Sequence, residues 1–387
     1  MFALLVAMSL AAPPPPPLPV PLEALQCKTR KCKVSKEKSG VWKVTLPAVK
    51  EVNGSTCREP PEEWWFVGAD GAGQLLLSVC NDGYGASGVG EDDINIDATT
   101  FKHSRYGGSA WRWTSDTTLG LSPLRVVSEH SQSFHATMPN FTSETSWNWD
   151  AFSGESSADV PPCNEQGEPN TEADPVTFKA RLIPSVQTPA AFLSGGWKAT
   201  SLGTCSAPAS FVTFGKQTGA NDASLKAVLS GNELFVEVRD DVFVETAAKW
   251  TLADHVELWL ANESDPWSAC ATKKAGEQWG LALDGSVNAG FGSPKPLKVE
   301  VAKSEGVVRF HVTLLAAPNQ ISVVYSDTDD GKKQKALLAT SALKFAAVSS
   351  FGATRNVQPR DAVCEVVDGA LAPKRTRVFD AKTAVIE

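Results

Sequence analysis

The sequence lacks the long apolar runs, tight cysteine pairs and helical patterns that identify several common protein classes. After residue 12, no stretch approaches the roughly 18 consecutive apolar residues of a membrane-spanning helix. No Cys-x-x-Cys occurs, and the only close pair, Cys27 and Cys32, has four residues between its members, which disfavours zinc. Apolar residues at helical spacing are confined to about residues 246–252. A membrane span, a zinc-centred domain and a helical fold are therefore not expected.

Motifs of common nucleotide-binding and hydrolytic enzymes are also missing. There is no GxxxxGK[ST], GxSxG or HExxH. A literal GxGxxG at residues 83–88 is followed by three acids and a strand pattern, where a dinucleotide fold needs the N-terminus of a helix. We interpret this segment as a glycine-rich turn. The five histidines are scattered and lack metal-ligand spacing.

Positive charge is in the minority. The chain has 36 Lys and Arg residues and 44 Asp and Glu residues, which gives a formal net charge of −8. Nucleic-acid binding favours a basic face, so no nucleic-acid partner is expected.

The N-terminal residues predict export. Residues 2–12 (FALLVAMSLAA) are almost wholly apolar and end in small residues, and five prolines at 13–17 prevent a helix from continuing. No Lys or Arg precedes the apolar run, so either the signal is atypical or the start of the protein lies upstream. We expect a signal peptide over 1–12, a proline-rich and basic spacer over 13–40, and a secreted or periplasmic, bacterial-style protein.

The eight cysteines form an even set, which in an exported chain favours disulfides. Sequence alone cannot choose among the many pairings. We favour bridges between cysteines that are neighbours in sequence within one domain, which predicts Cys57 with Cys80 and Cys205 with Cys270.

Short segments with period-two alternation, separated by Gly, Asn, Asp and Pro, predict an all-β fold with two β-sandwich or jelly-roll domains in tandem. In one such segment Leu234, Val236 and Val238 alternate with polar residues, so one strand face is expected to be buried and the other solvated. The predicted domains are an N-terminal β domain of unknown function over 41–158, a linker over 159–176, and a β-sandwich with a C-terminal extension over 177–387.

Two acidic segments offer hard oxygen ligands. Asp92 and Asp93 lie in an acidic loop whose spacing matches no defined metal site, so a solvated turn is the favoured interpretation and a calcium site is the alternative. Asp327 and Asp329 begin like an EF-hand loop, but the third ligand position and the closing Glu are absent, which leaves a turn or a weak ion site. No pair of carboxylates can be placed across a cleft, so no catalytic residues are predicted, and calcium is the one cofactor considered.

The twelve tryptophans include two period-two pairs, Trp111 with Trp113 and Trp147 with Trp149. Members of a pair share one strand face, and two such strands side by side would form either a sugar-stacking platform or a heavy core. Trp259 alternates with His255 and Glu257 on a polar face, so we expect it to be an exposed aromatic.

Residues 225–261 resemble the carbohydrate-binding module family 9-like domain, which is related to DOMON-type sandwiches. The matching segments are 234–241 (LFVEVRDD), the Lys and Trp at 249–250, 253–261 (ADHVELWLA), 279–284 (WGLALD) and 322–331 (SVVYSDTDDG). Asp254 stands where the family keeps its motif Asp, whereas Ala261 replaces an acid. The resemblance spans about residues 190–345 and implies a secreted binding β-sandwich whose best-known members grip sugar chain ends between tryptophans.

Three functions follow as hypotheses. The leading one is an exported, non-catalytic protein that binds a carbohydrate or glycan surface through aromatic and polar residues on a sheet face. The alternatives are a secreted hydrolase with its chemistry in the N-terminal domain, and a structural or adhesive surface protein; the oligomeric state stays open. The predicted ligand-binding residues are Trp259, Glu257, His255, Arg239, Trp250, Trp111, Trp113, Trp147 and Trp149.

Overall fold

The computed structural model describes residues 31–47, 60–69, 71, 73–79, 90–138, 141–162, 164, 170–219, 222–261, 276–291, 297–318, 320–342 and 363–374. The predicted signal peptide, the glycine-rich turn and Cys57, Cys80, Cys163 and Cys270 lie outside these residues. Nothing in the described part of the chain is a helix with the length and apolar character needed to span a bilayer.

The described chain is built from short antiparallel strands. Helical residues within it are limited to α1 (Ala190–Leu193) and two 3-10 turns, Gly196–Lys198 and Trp250–Leu252. The strands are β1 Lys33–Lys36, β2 Val41–Thr45, β3 Glu62–Val67, β4 Gly73–Val79, β5 Glu91–Ile96, β6 Thr100–Gly108, β7 Trp111–Leu121, β8 Leu124–His135, β9 Thr142–Asn148, β10 Ser153–Val160, β11 Val176–Arg181, β12 Ala207–Pro208, β13 Phe211–Gly215, β14 Ala223–Ser230, β15 Glu233–Asp240, β16 His255–Ala261, β17 Gly276–Ala282, β18 Val287–Phe291, β19 Lys298–Ser304, β20 Val307–Thr313, β21 Gln320–Asp327, β22 Ala336–Ala339, β23 Cys364–Val367 and β24 Ala370–Pro373. The predicted all-β class is confirmed.

The chain divides into two compact units, of which the first comprises residues 1–83, 96–100 and 379–387. Its described strands form a four-stranded sheet in the order β1-β2-β3-β4. Trp42, Val44 and Leu46 make the core of this sheet, with Trp65 and Val67 packed against them.

The second unit, residues 84–95 and 101–378, contains a seven-stranded meander. Its strand order is β11-β10-β9-β8-β7-β6-β5, and β7 pairs with β8 from Trp111 opposite His135 to Leu121 opposite Leu124. The segment predicted as a linker, 159–176, connects β10 to β11, which are antiparallel neighbours in this sheet. The domain boundary proposed there stays a prediction.

The second unit also contains a β-sandwich. A five-stranded sheet (β12-β14-β15-β20-β19) and a six-stranded sheet (β13-β22-β21-β16-β17-β18) contribute the apolar residues of one core cluster. Leu234, Val236 and Val238 on β15 and Val256 and Leu258 on β16 are all buried in it. The alternation expected from the sequence therefore identifies the core face of these strands.

The opposite face of β15 differs from the expectation that it meets solvent. Phe235 is 1% exposed and Glu237 is 2% exposed. Phe235 belongs to a second core cluster that includes Trp197 from the Gly196–Lys198 turn and Trp147 from β9. Because other parts of the second unit cover the middle of this face, β15 is buried on both sides there, whereas Arg239 near its end stays exposed.

One disulfide corrects a predicted pairing. Cys205 is bonded to Cys364, 159 positions away, so the predicted Cys205–Cys270 bridge is wrong. The hairpin β23–β24 brings Cys364 close, since Leu371 donates its backbone N–H to Ser201 and Ser201 donates to Gly369. Spatial proximity across the fold, which neighbour spacing does not report, decides this pairing.

Candidate functional site

An aromatic patch lies at the end of the meander, formed by Trp111, Trp113, His135 and Phe141 with Arg105 beside them. Trp111 pairs with His135 and Trp113 pairs with Ser133 across β7 and β8, so the two tryptophans and His135 share one face. The Trp111 ring meets His135 edge-on at 4.9 Å and Phe141 at 6.0 Å. At 41% exposure, Trp111 is a large apolar side chain held open to solvent.

The ring of Trp113 is held in place by contacts with Gly107 and Arg105. A Cβ on Gly107 would lie 2.5 Å from the Trp113 ring, so the ring rests directly on the glycine backbone. The Arg105 guanidinium stands 5.5 Å from the ring centroid, and its Nε lies 3.4 Å from Asp92 Oδ1. This cation–π contact orients Trp113 within the patch.

The second tryptophan pair is not part of this patch. β8 separates β7 from β9 in the sheet, and Trp147 lies opposite Glu129 while Trp111 lies opposite His135. Trp147 is 3% exposed, and its ring contacts Trp149 at 5.9 Å. The four tryptophans therefore do not form one surface, and Trp147 belongs to the core.

A polar cluster occupies the outer face of the six-stranded sheet: Trp250, His255, Glu257, Trp259 and Gln278. Glu257 accepts hydrogen bonds from Trp259 Nε1 at 2.8 Å and from Gln278 Nε2 at 3.0 Å, and its Oε1 lies 3.3 Å from His255 Nε2. The Trp250 ring contacts His255 edge-on at 4.8 Å. Sequence analysis placed His255, Glu257 and Trp259 on one face and named Trp250 separately as a binding candidate.

The polar cluster is less accessible than expected. Trp259 is 6% exposed and His255 is 1% exposed, so Trp259 is not the exposed aromatic that its polar face suggested. Burial raises the pKa of Glu257, but hydrogen bonds from His255 and Trp259 lower it more, so the pKa stays below its ordinary 4.5. The carboxylate is thus ionised and saturated by its own neighbours.

Arg239 lies apart from these residues, on the five-stranded sheet. Its guanidinium bonds to Glu237 Oε1 at 3.0 and 3.1 Å, and Arg309 Nε donates to the other oxygen of Glu237 at 3.0 Å. The structure therefore assigns Arg239 to an ion-pair network that neutralises a buried carboxylate.

An acidic cluster, Asp240, Asp254 and Asp327, closes one end of the sandwich. Asp240 ends β15, Asp254 directly precedes β16 and Asp327 ends β21. Because His255 pairs with Ser326, the next residues outward, Asp254 and Asp327, stand opposite each other. One carboxylate oxygen from each residue lies within 4.8 Å of the other two, and all three residues are buried.

Burial raises the pKa of each acid in this cluster, and the charges of nearby carboxylates raise it further. The pKa of Asp254 rises to about 8, chiefly through desolvation. Desolvation and then the charge of Asp240 raise the pKa of Asp327 to about 7, while desolvation raises the pKa of Asp240 to about 6. Ionised carboxylates at these positions are costly, because desolvation and like charge both disfavour them.

The remaining predicted metal residues are placed elsewhere. Asp329 lies near Asp222 and Asp241 and pairs with Lys335, so Asp327 and Asp329 do not share a site. Asp92 and Asp93 are consecutive on β5 and point to opposite faces, and Asp92 Oδ1 lies 2.6 Å from His103 Nε2. The structure does not bring Asp92 and Asp93 together around one ion.

Sequence reasoning did not identify several residues of these sites. His135 reaches the aromatic patch by pairing with Trp111, Arg105 reaches it from the neighbouring strand β6, and Gln278 reaches the polar cluster from β17. Asp240 and Asp254 each stand at the end of a strongly alternating strand. That position at a strand end is the signal that could have suggested them as partners of Asp327.

The chain matches no known protein-family model and no curated protein. Two solved structures of a carbohydrate binding module family 9 from Caldicellulosiruptor kristjanssonii are similar to part of it. The structure in complex with glucose has 12% identity and a TM-score of 0.34, and covers 48% of this chain and 96% of that chain. The structure in complex with cellotriose has 11% identity and a TM-score of 0.33, and covers 50% of this chain and 98% of that chain. Similarity at this level assigns no ligand to the chain.

Proposed function

We propose that the protein is an exported, non-catalytic carbohydrate-binding protein that holds sugar on the aromatic patch. The supporting observation is Trp111, which is 41% exposed beside Trp113 on one sheet face. A sugar ring has apolar C–H faces that stack on an indole and hydroxyls that need polar partners. An exposed tryptophan next to a histidine provides both types of contact.

The aromatic residues of the patch are held in place by their neighbours before any ligand binds. Trp113 rests on Gly107, and Trp111 is packed edge-on against His135 and Phe141. A rigid site loses little side-chain freedom when it binds, so more of the contact free energy contributes to affinity.

The test is binding of the mature protein to a glycan array and to insoluble polysaccharides, with glucose and cellotriose among the soluble probes. We expect Trp111→Ala to weaken binding by about tenfold, because one aromatic contact contributes on the order of 1 kcal/mol. Sugar should also protect Trp111 from iodide quenching of fluorescence.

Phe214→Ala is the matched control, since Phe214 is 52% exposed on β13 and lies outside the patch. It should leave binding unchanged. Loss of binding in Trp250→Ala with full binding in Trp111→Ala would contradict the patch and point to the polar cluster. Absence of binding across all probes by a folded protein would contradict carbohydrate binding itself.

A further inference from the structure

Among the residues that the structure describes, both carboxylate oxygens of the buried Asp327 have no hydrogen-bond donor. The residue is 1% exposed, so water does not solvate it. Most buried polar side chains in folded proteins have a partner, and an unpartnered buried group calls for an explanation such as a missing ion. Asp327 lies at the end of β21, next to the two other buried acids of the acidic cluster.

The hydrogen bonds that described residues donate to the other two acids of the acidic cluster come from uncharged groups. Asp254 accepts from the backbone N–H groups of Val244 at 2.6 Å and Thr328 at 2.7 Å, one on each oxygen. Asp240 accepts from the Val242 N–H at 2.9 Å and the Tyr325 hydroxyl at 2.5 Å. These bonds orient the carboxylates without neutralising them.

A neighbouring set of acids, Asp222, Asp241 and Asp329, has a positively charged partner from the chain. Lys335 Nζ lies 2.5 Å from Asp222 and 2.6 Å from Asp329, so an ammonium compensates that set. Within the described residues, no Lys or Arg forms an ion pair with Asp240, Asp254 or Asp327. In the described part of the chain, the acidic cluster therefore has the ligands of a cation site but no Lys or Arg in ion-pair contact with it.

We propose that Asp240, Asp254 and Asp327 bind a divalent cation of the size of calcium. One carboxylate oxygen from each residue lies within 4.8 Å of the other two, which is close enough for all three to bind one ion. Calcium takes six to eight oxygen ligands in a flexible geometry at about 2.3–2.6 Å. Magnesium dehydrates reluctantly and usually keeps several waters, so three buried carboxylates suit calcium better.

The cation would join both sheets of the sandwich. Asp240 ends a strand of the five-stranded sheet, whereas Asp327 ends β21 and Asp254 directly precedes β16, both strands of the six-stranded sheet. Asp254 also anchors the segment after β15 through Val244. Binding should therefore stabilise this end of the sandwich as a unit.

The experiment uses the full mature chain, stripped of metal with a chelator and titrated at pH 7.5 with calcium chloride or magnesium chloride. At a calcium concentration about 100 times Kd, we expect the thermal unfolding midpoint to rise by about 5–10 °C. Isothermal calorimetry should show weaker binding of magnesium. Asp327→Asn should abolish the calcium shift and stay folded in chelator, because it removes a buried charge.

Asp330→Asn is the matched control. Asp330 lies three positions away and accepts hydrogen bonds from the backbone of Lys332 and Lys333, outside the cluster. It should keep the wild-type calcium response. If Asp327→Asn does not fold, equilibrium dialysis of wild type and Asp254→Asn decides, with one fewer calcium ion expected in the variant. Equal calcium uptake by variant and wild type, or no uptake by the wild type, would contradict the site, and tighter binding of magnesium would contradict calcium.

Discussion

At the residue scale, Glu257 shows how a buried charge is kept in the sandwich. The carboxylate lies on the outer face of β16, where Trp259 and Gln278 donate to it and His255 contacts it. Burial raises its pKa, but these contacts lower it further, to below 4.5. A pKa lowered by folding means that the ionised form stabilises the folded state at pH values above 4.5. That contribution is lost as pH falls through the folded-state pKa.

We therefore expect Glu257→Gln to lower the free energy of unfolding at pH 7 by about 1–3 kcal/mol, since charge-assisted hydrogen bonds are lost. The difference from wild type should shrink below pH 4.5, where the wild-type carboxylate also becomes protonated. Urea unfolding from pH 3 to pH 7 measures both effects.

Glu305→Gln provides the comparison, because Glu305 is exposed in the turn between β19 and β20. It should change the unfolding free energy by less than about 0.5 kcal/mol. A constant difference between wild type and Glu257→Gln at every pH would contradict the role assigned to the ionised carboxylate.

The sequence predicted which residues share a strand face, but it did not predict whether that face is exposed to solvent. The alternation on β16 correctly groups His255, Glu257 and Trp259, which pair in register with β17. Trp259 is nevertheless buried. A strand pattern reports which residues share a face, but whether another part of the chain covers that face depends on tertiary packing.

At the scale of elements, Gly154 on β10 leaves space for the ring of Trp147, its pairing partner on β9. A Cβ at this position would lie 2.3 Å from the Trp147 ring and 2.7 Å from both Leu182 and the backbone oxygen of Ser146. The glycine thus lets β10 pass over the buried indole, and no side chain fits without moving a backbone or a packed ring.

Gly154→Ala should lower the free energy of unfolding by about 1–3 kcal/mol, the usual cost of overpacking a core. Gly219→Ala is the control, since a Cβ there would meet nothing within 4 Å. Chemical denaturation of both variants measures the difference. Equal unfolding free energies of the two variants would show that the Trp147 ring can shift to accommodate the added methyl group without loss of stability.

The order of strands limited what sequence could say about the tryptophan pairs. Period two correctly placed Trp111 and Trp113 on one face, but the pairing of β7 with β8, and of β8 with β9, separates them from Trp147. Neighbour relations among strands depend on turns and on long-range packing, neither of which appears in a local pattern.

At the scale of the whole molecule, the fold class could be predicted and the sites only in part. Alternation and turn residues suffice for an all-β chain. The acidic cluster joins three strand ends, from Asp240 to Asp327, and only the fold makes them neighbours. The sequence shows that each of these acids is present, but it does not show that the three carboxylates lie close together in the fold.

The Cys205–Cys364 bridge shows the same dependence on the fold and has a measurable effect. It fastens the β23–β24 hairpin, whose Leu371 is fully buried in the second core cluster with Trp197 and Leu202. Because the bridge spans 159 positions, it removes many conformations from the unfolded chain.

Replacing both cysteines, Cys205→Ala with Cys364→Ala, should lower the free energy of unfolding by about 2–5 kcal/mol. Val366→Ala on the same strand, where Val366 is 44% exposed, should change it little. Urea unfolding without reductant isolates this bridge from the other cysteines, and limited proteolysis should release the hairpin faster from the double variant. If the double variant unfolds at the same urea concentration as Val366→Ala and resists protease equally, apolar packing around Leu371 alone holds the hairpin in place.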